Sequence, residues 1–348
     1  MIVRPRVFDD AWPPDKLQHR DGAVEALSRA FDPATAGREA QSAVVHGPRG
    51  VGKTALARHV IRRLERHAGV SVVLVGALGA TTESILRRVI AAAPGHANPS
   101  RSATVQDLRW KLRKQVDRPI VLVLDEAEGL SSTDALDHLL AVDRLSIVGI
   151  VRRENRWLGR LSGGVRRRID VSVGLDRYRV DELVAILRAR ADRGLAGDPV
   201  TDRQLAYVAD AVAGIARHGI QSLRAAAALA DEREHREIRD ADIDDAFARA
   251  RARIRNLNLR SLPVHHRLVY AVIREAGEIT ESELDARYAD VADAVYRGTG
   301  LDPIDTRGRR MALRRLEAYD LIDRDDRTYR VSDESISTGL PLPAKDRE

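Results

Sequence analysis

The sequence predicts an α/β protein in three parts: a parallel sheet covered by helices on both faces, a small helical domain, and a C-terminal domain of three helices and a hairpin. Three observations support this prediction. Strand-sized apolar runs alternate with helical segments from Ala43 to Val173, these runs stop after Tyr178, and a new series of helices begins at Leu262. Strands that alternate with helices along a chain form parallel sheets that are buried on both faces.

Composition narrows the class of protein. A chain of 348 residues corresponds to two or three domains at roughly 150 residues each, and a hydrophobic share of 44% is enough for their cores. The absence of cysteine excludes disulfides, thiolate metal sites and cysteine nucleophiles. A net charge of +6 favours an anionic partner. Five lysines leave 53 arginines among the 58 basic residues, a usage that a GC-rich genome also produces.

No segment of the sequence predicts a membrane partner. The longest apolar runs, such as residues 70–75 and 120–124, have the length of strands and are far shorter than a membrane span. Residues 1–10 lack the apolar core of a secretory signal. We therefore expect a cytoplasmic protein. Aromatic residues make up only 4% of the chain, which argues against a single-strand binder built on stacked rings.

The first predicted domain, residues 1–176, contains the sheet. Proline and glycine predict a loop over residues 94–102. Its predicted strands are residues 43–46, 70–75, 120–124, 146–151 and 169–173, and its predicted helices are residues 53–67, 84–93, 105–116 and 133–141.

The second predicted domain, residues 177–255, is helical. Several of its helices begin with the acidic, Thr or Asp residues that favour helix starts. The predicted helices are residues 181–193, 202–213, 221–233 and 240–253.

The third predicted domain, residues 256–335, follows an arginine-rich connection, and residues 336–348 form a tail. Three helices followed by a hairpin at Asp325 and Asp326 are typical of a winged helix. Those helices are predicted at residues 264–276, 281–295 and 306–319.

A phosphate-binding loop lies between the first strand and the next helix. Residues 47–54 match the pattern G-x-x-x-x-G-K-[ST], in which glycines turn backbone N–H groups toward phosphates at a helix N-terminus. Lys53 would neutralise the β- and γ-phosphates, and Thr54 would bind Mg²⁺. The residues expected to hold ATP or ADP here are Gly47, Pro48, Arg49, Gly50, Val51, Gly52, Lys53 and Thr54.

An acidic pair follows the third predicted strand. Residues 121–126 form a hydrophobic run that ends in Asp125 and Glu126, 72 residues after Lys53. On its own such a run is also a strand capped by solvated charge. Beside the phosphate loop, Asp125 is expected to join Thr54 as a ligand of Mg²⁺, and Glu126 is the expected catalytic residue that polarises the attacking water.

These motifs resemble the AAA+ ATPases, and more narrowly the archaeal Orc/Cdc-type replication initiators of the origin recognition and cell division control family. Residues 12–21, 124–130, 178–187 and 262–270 carry the resemblance beyond the phosphate loop. The resemblance implies an AAA+ P-loop parallel sheet with a helical lid, followed by a winged helix. It also implies nucleotide contacts near the adenine from Leu17, His19, Arg20 and Tyr178, and a helix near residues 81–93 that contacts DNA.

Two positions depart from the pattern of that family. Arg152 occupies the place of a sensor asparagine, and Gln221 occupies the expected place of a sensor arginine. Arg224, one turn later, is the candidate γ-phosphate sensor and the second candidate catalytic residue. An arginine finger would come from residues 166–168, among which the sequence does not choose. We expect nucleotide binding, with hydrolysis that is slow or depends on a partner.

The expected DNA-binding residues lie on the third helix and the hairpin of the winged helix. Residues 256–331 contain 13 Arg against 14 Asp and Glu, so the domain as a whole is not basic, but residues 306–316 carry no acid. The third helix of such a motif enters the major groove. The expected contacts are Arg307, Arg309, Arg310, Arg314 and Arg327. The alternative is a protein-binding winged helix with a solvated basic face.

The leading hypothesis is an ATP-dependent replication initiator that binds double-stranded DNA at origin repeats, helps to load the replicative helicase, self-associates and lies on the nucleoid. One alternative is a nucleotide-gated winged-helix regulator, and another is an ATPase that assists mobile elements. A third is an initiator paralogue with weak or lost ATP hydrolysis, which the residues at positions 152 and 221 favour.

Overall fold

A computed structural model describes residues 1–12, 16–66, 69–92, 99–100, 102–299, 301–340 and 342. The chain divides into two compact units, Met1–Ile243 and Asp244–Glu348. Most of the predicted loop at 94–102 and most of the predicted tail at 336–348 lie outside the described residues. In the described part, no helix is long and apolar enough to span a membrane.

The first unit is built on a five-stranded parallel sheet with the order β2-β3-β4-β1-β5, so β1 lies between β4 and β5. The predicted strands are confirmed within one or two residues at each end. Their bounds are β1 (Ser42–His46), β2 (Ser71–Gly76), β3 (Ile120–Asp125), β4 (Leu145–Val151) and β5 (Ile169–Gly174).

Helices cover both faces of this sheet. Along β3, Val121 and Val123 pack into one hydrophobic cluster, while Leu122 and Leu124 pack into the cluster on the opposite face. Successive side chains of a strand point to opposite faces, so a strand buried on both faces must be apolar at every position. The helices are α1 (Asp21–Thr35), α2 (Lys53–Leu64), α3 (Thr82–Ala92), α4 (Val105–Gln115), α5 (Asp134–Leu140), α6 (Glu154–Leu158) and α7 (Gly163–Arg167).

The same unit continues into the helical lid. The sequence pattern starts the third lid helix at Gln221, but the structure starts it five residues earlier. Gly219 lies inside this helix, where a Cβ added to it would be in ordinary contact with Leu187 at 3.4 Å and Leu183 at 3.5 Å. The lid helices are α8 (Val180–Gly194), α9 (Asp202–Ala211) and α10 (Ala216–Glu232), and α11 (Asp240–Ser261) continues past the unit boundary. The predicted domain boundary at 255/256 falls inside α11.

The second unit has the winged-helix topology. It contains one more strand than the hairpin that the sequence predicts: β6 follows Gly277, whose φ of +77° ends the preceding helix. The strands pair in the antiparallel order β6-β8-β7. The elements are α12 (Val264–Ala276), β6 (Glu278–Thr280), α13 (Glu281–Tyr296), α14 (Thr306–Ala318), β7 (Ile322–Asp325) and β8 (Thr328–Val331).

Candidate nucleotide and DNA sites

The phosphate loop connects β1 to α2 in a backbone conformation that requires glycine. Gly47, Gly50 and Gly52 have φ values of +142°, +74° and +96°. A Cβ added to Gly47 would lie 2.1 Å from the carbonyl oxygen of Leu175, so the loop passes directly against the end of β5. Glycine adopts positive φ without steric cost, which explains why these positions carry no side chain.

Lys53 lies across this loop. Its Nζ donates hydrogen bonds to the carbonyl oxygens of Gly47, at 2.8 Å, and Pro48, at 2.6 Å. Burial lowers the pKa of Lys53 to about 8, although the nearby carboxylates of Glu128 and Asp125 oppose the shift. A buried ammonium at the start of a helix is placed to exchange these carbonyls for phosphate oxygens.

Thr54 and Asp125 meet at the end of the sheet although they are 71 residues apart in sequence. The Thr54 hydroxyl donates to Asp125, with Oγ1 3.2 Å from Oδ1 and 3.0 Å from Oδ2. Burial raises the pKa of Asp125, and the hydrogen bond from Thr54 opposes that shift. A hydroxyl and a carboxylate are hard oxygen ligands, so this pair fits Mg²⁺ carried with a nucleotide.

A second carboxylate, missed by the sequence analysis, lies beside Lys53. Glu128 accepts a hydrogen bond from the Nε of Arg152 at 2.9 Å and one from the Arg152 backbone N–H at 3.3 Å. Arg152 therefore does not extend freely from the end of β4 but pairs with the turn after β3. The third acid in the run D-E-A-E was the only signal for Glu128. Glu126, the expected catalytic residue, adopts a φ of +57° at the start of this turn.

The residues that the family resemblance places near the adenine are partly assembled. The guanidinium of Arg20 stacks over the Tyr178 ring at 3.9 Å and donates to the carbonyl oxygens of Val51 and Asp176. His19 is exposed with a φ of +57°, whereas Leu17 is buried in the core cluster of the sheet. Arg20 and Tyr178 thus lie side by side against the loop, whereas Leu17 belongs to the core.

The lid contacts the phosphate loop through the first turn of α10. The backbone N–H of Arg217 donates to the Gly50 carbonyl oxygen at 3.1 Å, and its guanidinium pairs with Asp10 at 2.8 Å. Arg224 lies two turns further along α10 and pairs with Asp9 at 2.8 Å. Gln221 is fully buried and donates to the Phe8 carbonyl oxygen. Because the predicted helix began at Gln221, sequence analysis missed Arg217.

The three candidates for an arginine finger differ in their surroundings. Arg168 donates to the Leu140 carbonyl oxygen and pairs with Glu39, so its guanidinium is held within its own chain. Arg166 and Arg167 are exposed at the end of α7. Of the three, Arg166 and Arg167 are therefore the more exposed to solvent.

Three arginines of α14 form an exposed basic face. Arg307, Arg310 and Arg314 follow each other at helical spacing and are all exposed. The side chain of Arg310 is 60% exposed and pairs with Glu281 at the start of α13. Arg327 is exposed in the turn between β7 and β8.

Arg309 does not belong to this face, which corrects the sequence-based assignment. Its side chain is only 14% exposed. The guanidinium donates to Asp285 and to the carbonyl oxygen of Ile304, and it stacks over Tyr288 at 5.0 Å. Arg309 therefore fixes α14 against α13, because its position on the helix points inward.

Comparison with known proteins agrees with this geometry. A family model of the AAA ATPase domain matches residues 16–150, and a model of the Cdc6 AAA+ ATPase-type lid domain matches residues 184–248. The solved structure of the Aeropyrum pernix ORC1 protein in complex with DNA superimposes with a TM-score of 0.69 at 24% identity, covering 95% of this chain and 93% of that chain. That of Aeropyrum pernix ORC2 in ADPNP–ADP complexes has a TM-score of 0.64 at 22% identity, covering 97% and 96%.

The phosphate loop, the strand order and the lid define an AAA+ ATPase followed by a winged helix. ORC1-type DNA replication protein 9 of Halobacterium salinarum is 32% identical over 342 residues, which cover 96% of this chain and 94% of that protein. The chain belongs to the archaeal ORC1-type/Cdc6 family of replication initiators.

Proposed function

We propose that this initiator binds ATP and Mg²⁺ between the phosphate loop and the lid, binds duplex DNA at origin repeats through α14, and helps to load the replicative helicase. The observation that supports DNA binding is the division of the α14 arginines into exposed and buried side chains. Arg307, Arg310 and Arg314 are exposed on one face, while Arg309 and Arg315 are engaged inside the unit. A helix face with several exposed arginines and no acidic residue is suited to a phosphate-lined groove.

In the nucleotide site, each residue has a distinct role. Lys53 holds the β- and γ-phosphates, and Thr54 with Asp125 holds the magnesium ion, which supplies charge neutralisation at the phosphates when it is bound. Glu126 accepts the proton of the attacking water. Tyr178 and Arg20 border the base.

Arg217 connects nucleotide binding to the lid in this proposal. Its backbone N–H already donates to the Gly50 carbonyl oxygen of the phosphate loop, and its guanidinium pairs with Asp10. We assign the phosphate-sensing role to Arg217 in preference to Arg224, because Arg217 is the one whose backbone contacts the loop. A change in the loop on nucleotide binding would then move α10 directly.

Self-association fits the exposed Arg166 and Arg167 at the edge of the sheet unit. An arginine from a second molecule would complete the charge around the γ-phosphate, and hydrolysis would then depend on a partner. Binding to origin DNA would place the protein on the nucleoid.

A second candidate is an initiator with weak hydrolysis. The observation that favours it is the Arg152–Glu128 pair, which places a cation–carboxylate contact where the family usually carries a sensor asparagine. Single-turnover and multiple-turnover ATP hydrolysis, measured with and without DNA, distinguish the two. Turnover that increases in the presence of DNA would exclude the weak-hydrolysis alternative.

Binding of the ATP-loaded protein to tiled duplexes of its own genome, at one stated salt concentration, tests the proposal. Affinity for a few intergenic repeats at least about 10³ above background supports an initiator that recognises origins. Preference for promoters would favour a regulator, and uniform weak binding would contradict sequence recognition by this chain.

Two variants connect that measurement to the site. Arg314→Ala should weaken duplex binding and lower the slope of log affinity against log salt by about 0.9, as expected for one lost phosphate contact. Arg62→Ala removes the same charge from an exposed position on α2 and serves as the matched control. Equal effects of both variants would show that α14 has no special role.

A further inference from the structure

The basic face of α14 contains one apolar side chain. Met311 lies between the exposed arginines, since positions 307, 310, 311 and 314 are separated by three, four and seven residues and share one face of a helix. Met311 is 50% exposed. It is one of only two methionines in the chain, and the other is Met1.

Met311 is not part of the core of the second unit. The apolar residues on the inward side of α14 are Ala312, Leu313 and Leu316, all of which are buried. In the part of this unit that the structure describes, Met311 and Leu301 are the large hydrophobic residues that are exposed. Packing within the unit therefore does not explain an apolar side chain at position 311.

The surroundings of Met311 indicate what covers it. Arg307 and Arg314 flank it along the helix, and Arg310 is oriented beside it by its ion pair with Glu281. This charge matches a polyanion, and the major groove of a duplex presents one apolar group, the C5 methyl of thymine. Arginine contacts phosphates and guanine edges, so none of the three neighbours selects thymine.

We propose that Met311 is the residue of α14 that recognises thymine, through contact between its side chain and the C5 methyl group in the major groove. This inference rests on the proposed binding of duplex DNA by α14. Methionine suits the role because its unbranched, polarizable side chain adapts to an irregular surface. The arginines supply affinity and register, and Met311 supplies discrimination at one base.

The expected effect is small but measurable. Removing one methyl group from the contact should weaken binding about fourfold, the equilibrium equivalent of returning one such group to water. Deoxyuridine differs from thymidine only by that methyl group, so it removes the contact without changing the hydrogen-bonding edge of the base.

The test begins with the full-length protein loaded with ATP and Mg²⁺. A library of duplexes with about 20 randomised base pairs, two helical turns, gives the preferred site by repeated selection. Each thymine of that site is then replaced singly by deoxyuridine. Dissociation constants are measured by fluorescence anisotropy for the unmodified protein, Met311→Ala, Met311→Leu and Leu301→Ala.

The unmodified protein should lose about fourfold in affinity when one particular thymine loses its methyl group. Met311→Ala should bind the thymine duplex about fourfold more weakly and be indifferent to that methyl group, while Met311→Leu keeps part of the discrimination. Leu301→Ala removes a comparable exposed side chain outside α14 and should behave like the unmodified protein.

Two results would overturn the inference while leaving DNA binding intact. In the first, replacing thymine by deoxyuridine changes the dissociation constant at no position of the site. In the second, Met311→Ala shows the same dependence on the methyl group as the unmodified protein at every position. Unchanged duplex affinity in Met311→Ala would likewise exclude the contact and point to a protein partner for this side chain. Failure of the unmodified protein to bind any duplex would instead refute the proposed function itself.

Discussion

Replacing Arg309 by alanine tests whether this arginine of α14 stabilises the fold of the second unit or contacts DNA. The structure holds this side chain between two helices, where it donates to Asp285 and to the Ile304 carbonyl oxygen and stacks over Tyr288. We therefore expect Arg309→Ala to destabilise the second unit. We do not expect it to remove a DNA contact.

The magnitude follows from what the substitution leaves behind. Asp285, only 29% exposed, loses its cation, and the Ile304 carbonyl loses a charged donor. Hydrogen bonds to charged groups contribute about 1.5–3 kcal/mol each, and removing one partner of a largely buried pair costs about 3–5 kcal/mol. Partial exposure of Asp285 favours the lower end, about 2–3 kcal/mol. At about 1.2 kcal/mol per molar urea for a unit of this size, the midpoint falls by about 2 M.

The positions of the tryptophans allow the two units to be followed separately. Trp12, Trp110 and Trp157 are the three tryptophans of the chain, and all lie in the first unit. Tryptophan fluorescence therefore reports the first unit during urea unfolding, while helical circular dichroism reports both. The part of the dichroism change that occurs without a fluorescence change therefore reports unfolding of the second unit. In Arg309→Ala, the midpoint of this transition should move to a lower urea concentration. Arg314→Ala, an exposed change on the same helix, should leave both transitions in place.

The reasoning would be refuted if Arg309→Ala unfolded like the unmodified protein and lost duplex affinity to the same extent as Arg314→Ala. A double-mutant cycle with Asp285→Ala gives an independent check. The two substitutions share one ion pair, so their effects on the free energy of unfolding should be strongly non-additive. Additive losses would mean that the pair contributes nothing.

Three further predictions concern the first unit. Lys53→Ala should abolish ATP binding in isothermal titration calorimetry without lowering the stability of the unit, and retained affinity would contradict the site. Gly47→Ala should disrupt the loop, since its Cβ would meet the Leu175 carbonyl oxygen at 2.1 Å, and a loss above about 2 kcal/mol in urea unfolding is expected. Asp242 is fully buried; burial would raise its pKa, but hydrogen bonds from the Arg239 N–H, His235 and Arg233 hold the pKa below the ordinary 3.8. The ionised Asp242 therefore contributes fully to the free energy of unfolding above pH 3.8, the pKa in the unfolded chain, and this contribution is lost as the pH falls through the lower pKa of the folded state. Asp242→Asn should cost about 3 kcal/mol of stability at pH 7 and less in acid.

Local sequence was sufficient for the elements that depend on neighbours in the chain. Residues 47–54 form the phosphate loop because their glycines and the following helix are covalently adjacent. The strand 120–125 could be assigned because every one of its residues except the last is apolar, as a strand buried on both faces requires, and because the run is short and rich in β-branched residues. Asp125 could be placed beside Thr54 because Asp125 ends one parallel strand and Thr54 lies in the first turn of the helix that follows another, at the same edge of the sheet.

Local sequence could not predict conformations that depend on contacts between residues far apart in the chain. Gly219 favours a helix break by its propensity, yet α10 runs through it and packs beside Leu183 and Leu187 of α8. The predicted helix therefore began at Gln221 instead of Ala216, and Arg217 was not recognised as a helical residue near the phosphate loop. Strand β6 has only three residues and forms because β8 supplies its partner, a contact from about fifty residues further along the chain.

The sequence by itself determined the class of the protein, because the motifs that hold phosphate and magnesium are short, contiguous and chemically specific. It also determined that α14 is rich in arginine. Only the tertiary structure decided that Arg309 faces inward. Arg309 and Arg310 are adjacent in sequence, but they lie about 100° apart around a helix, and the position of α13 turns one into a buried ion-pair partner and leaves the other exposed.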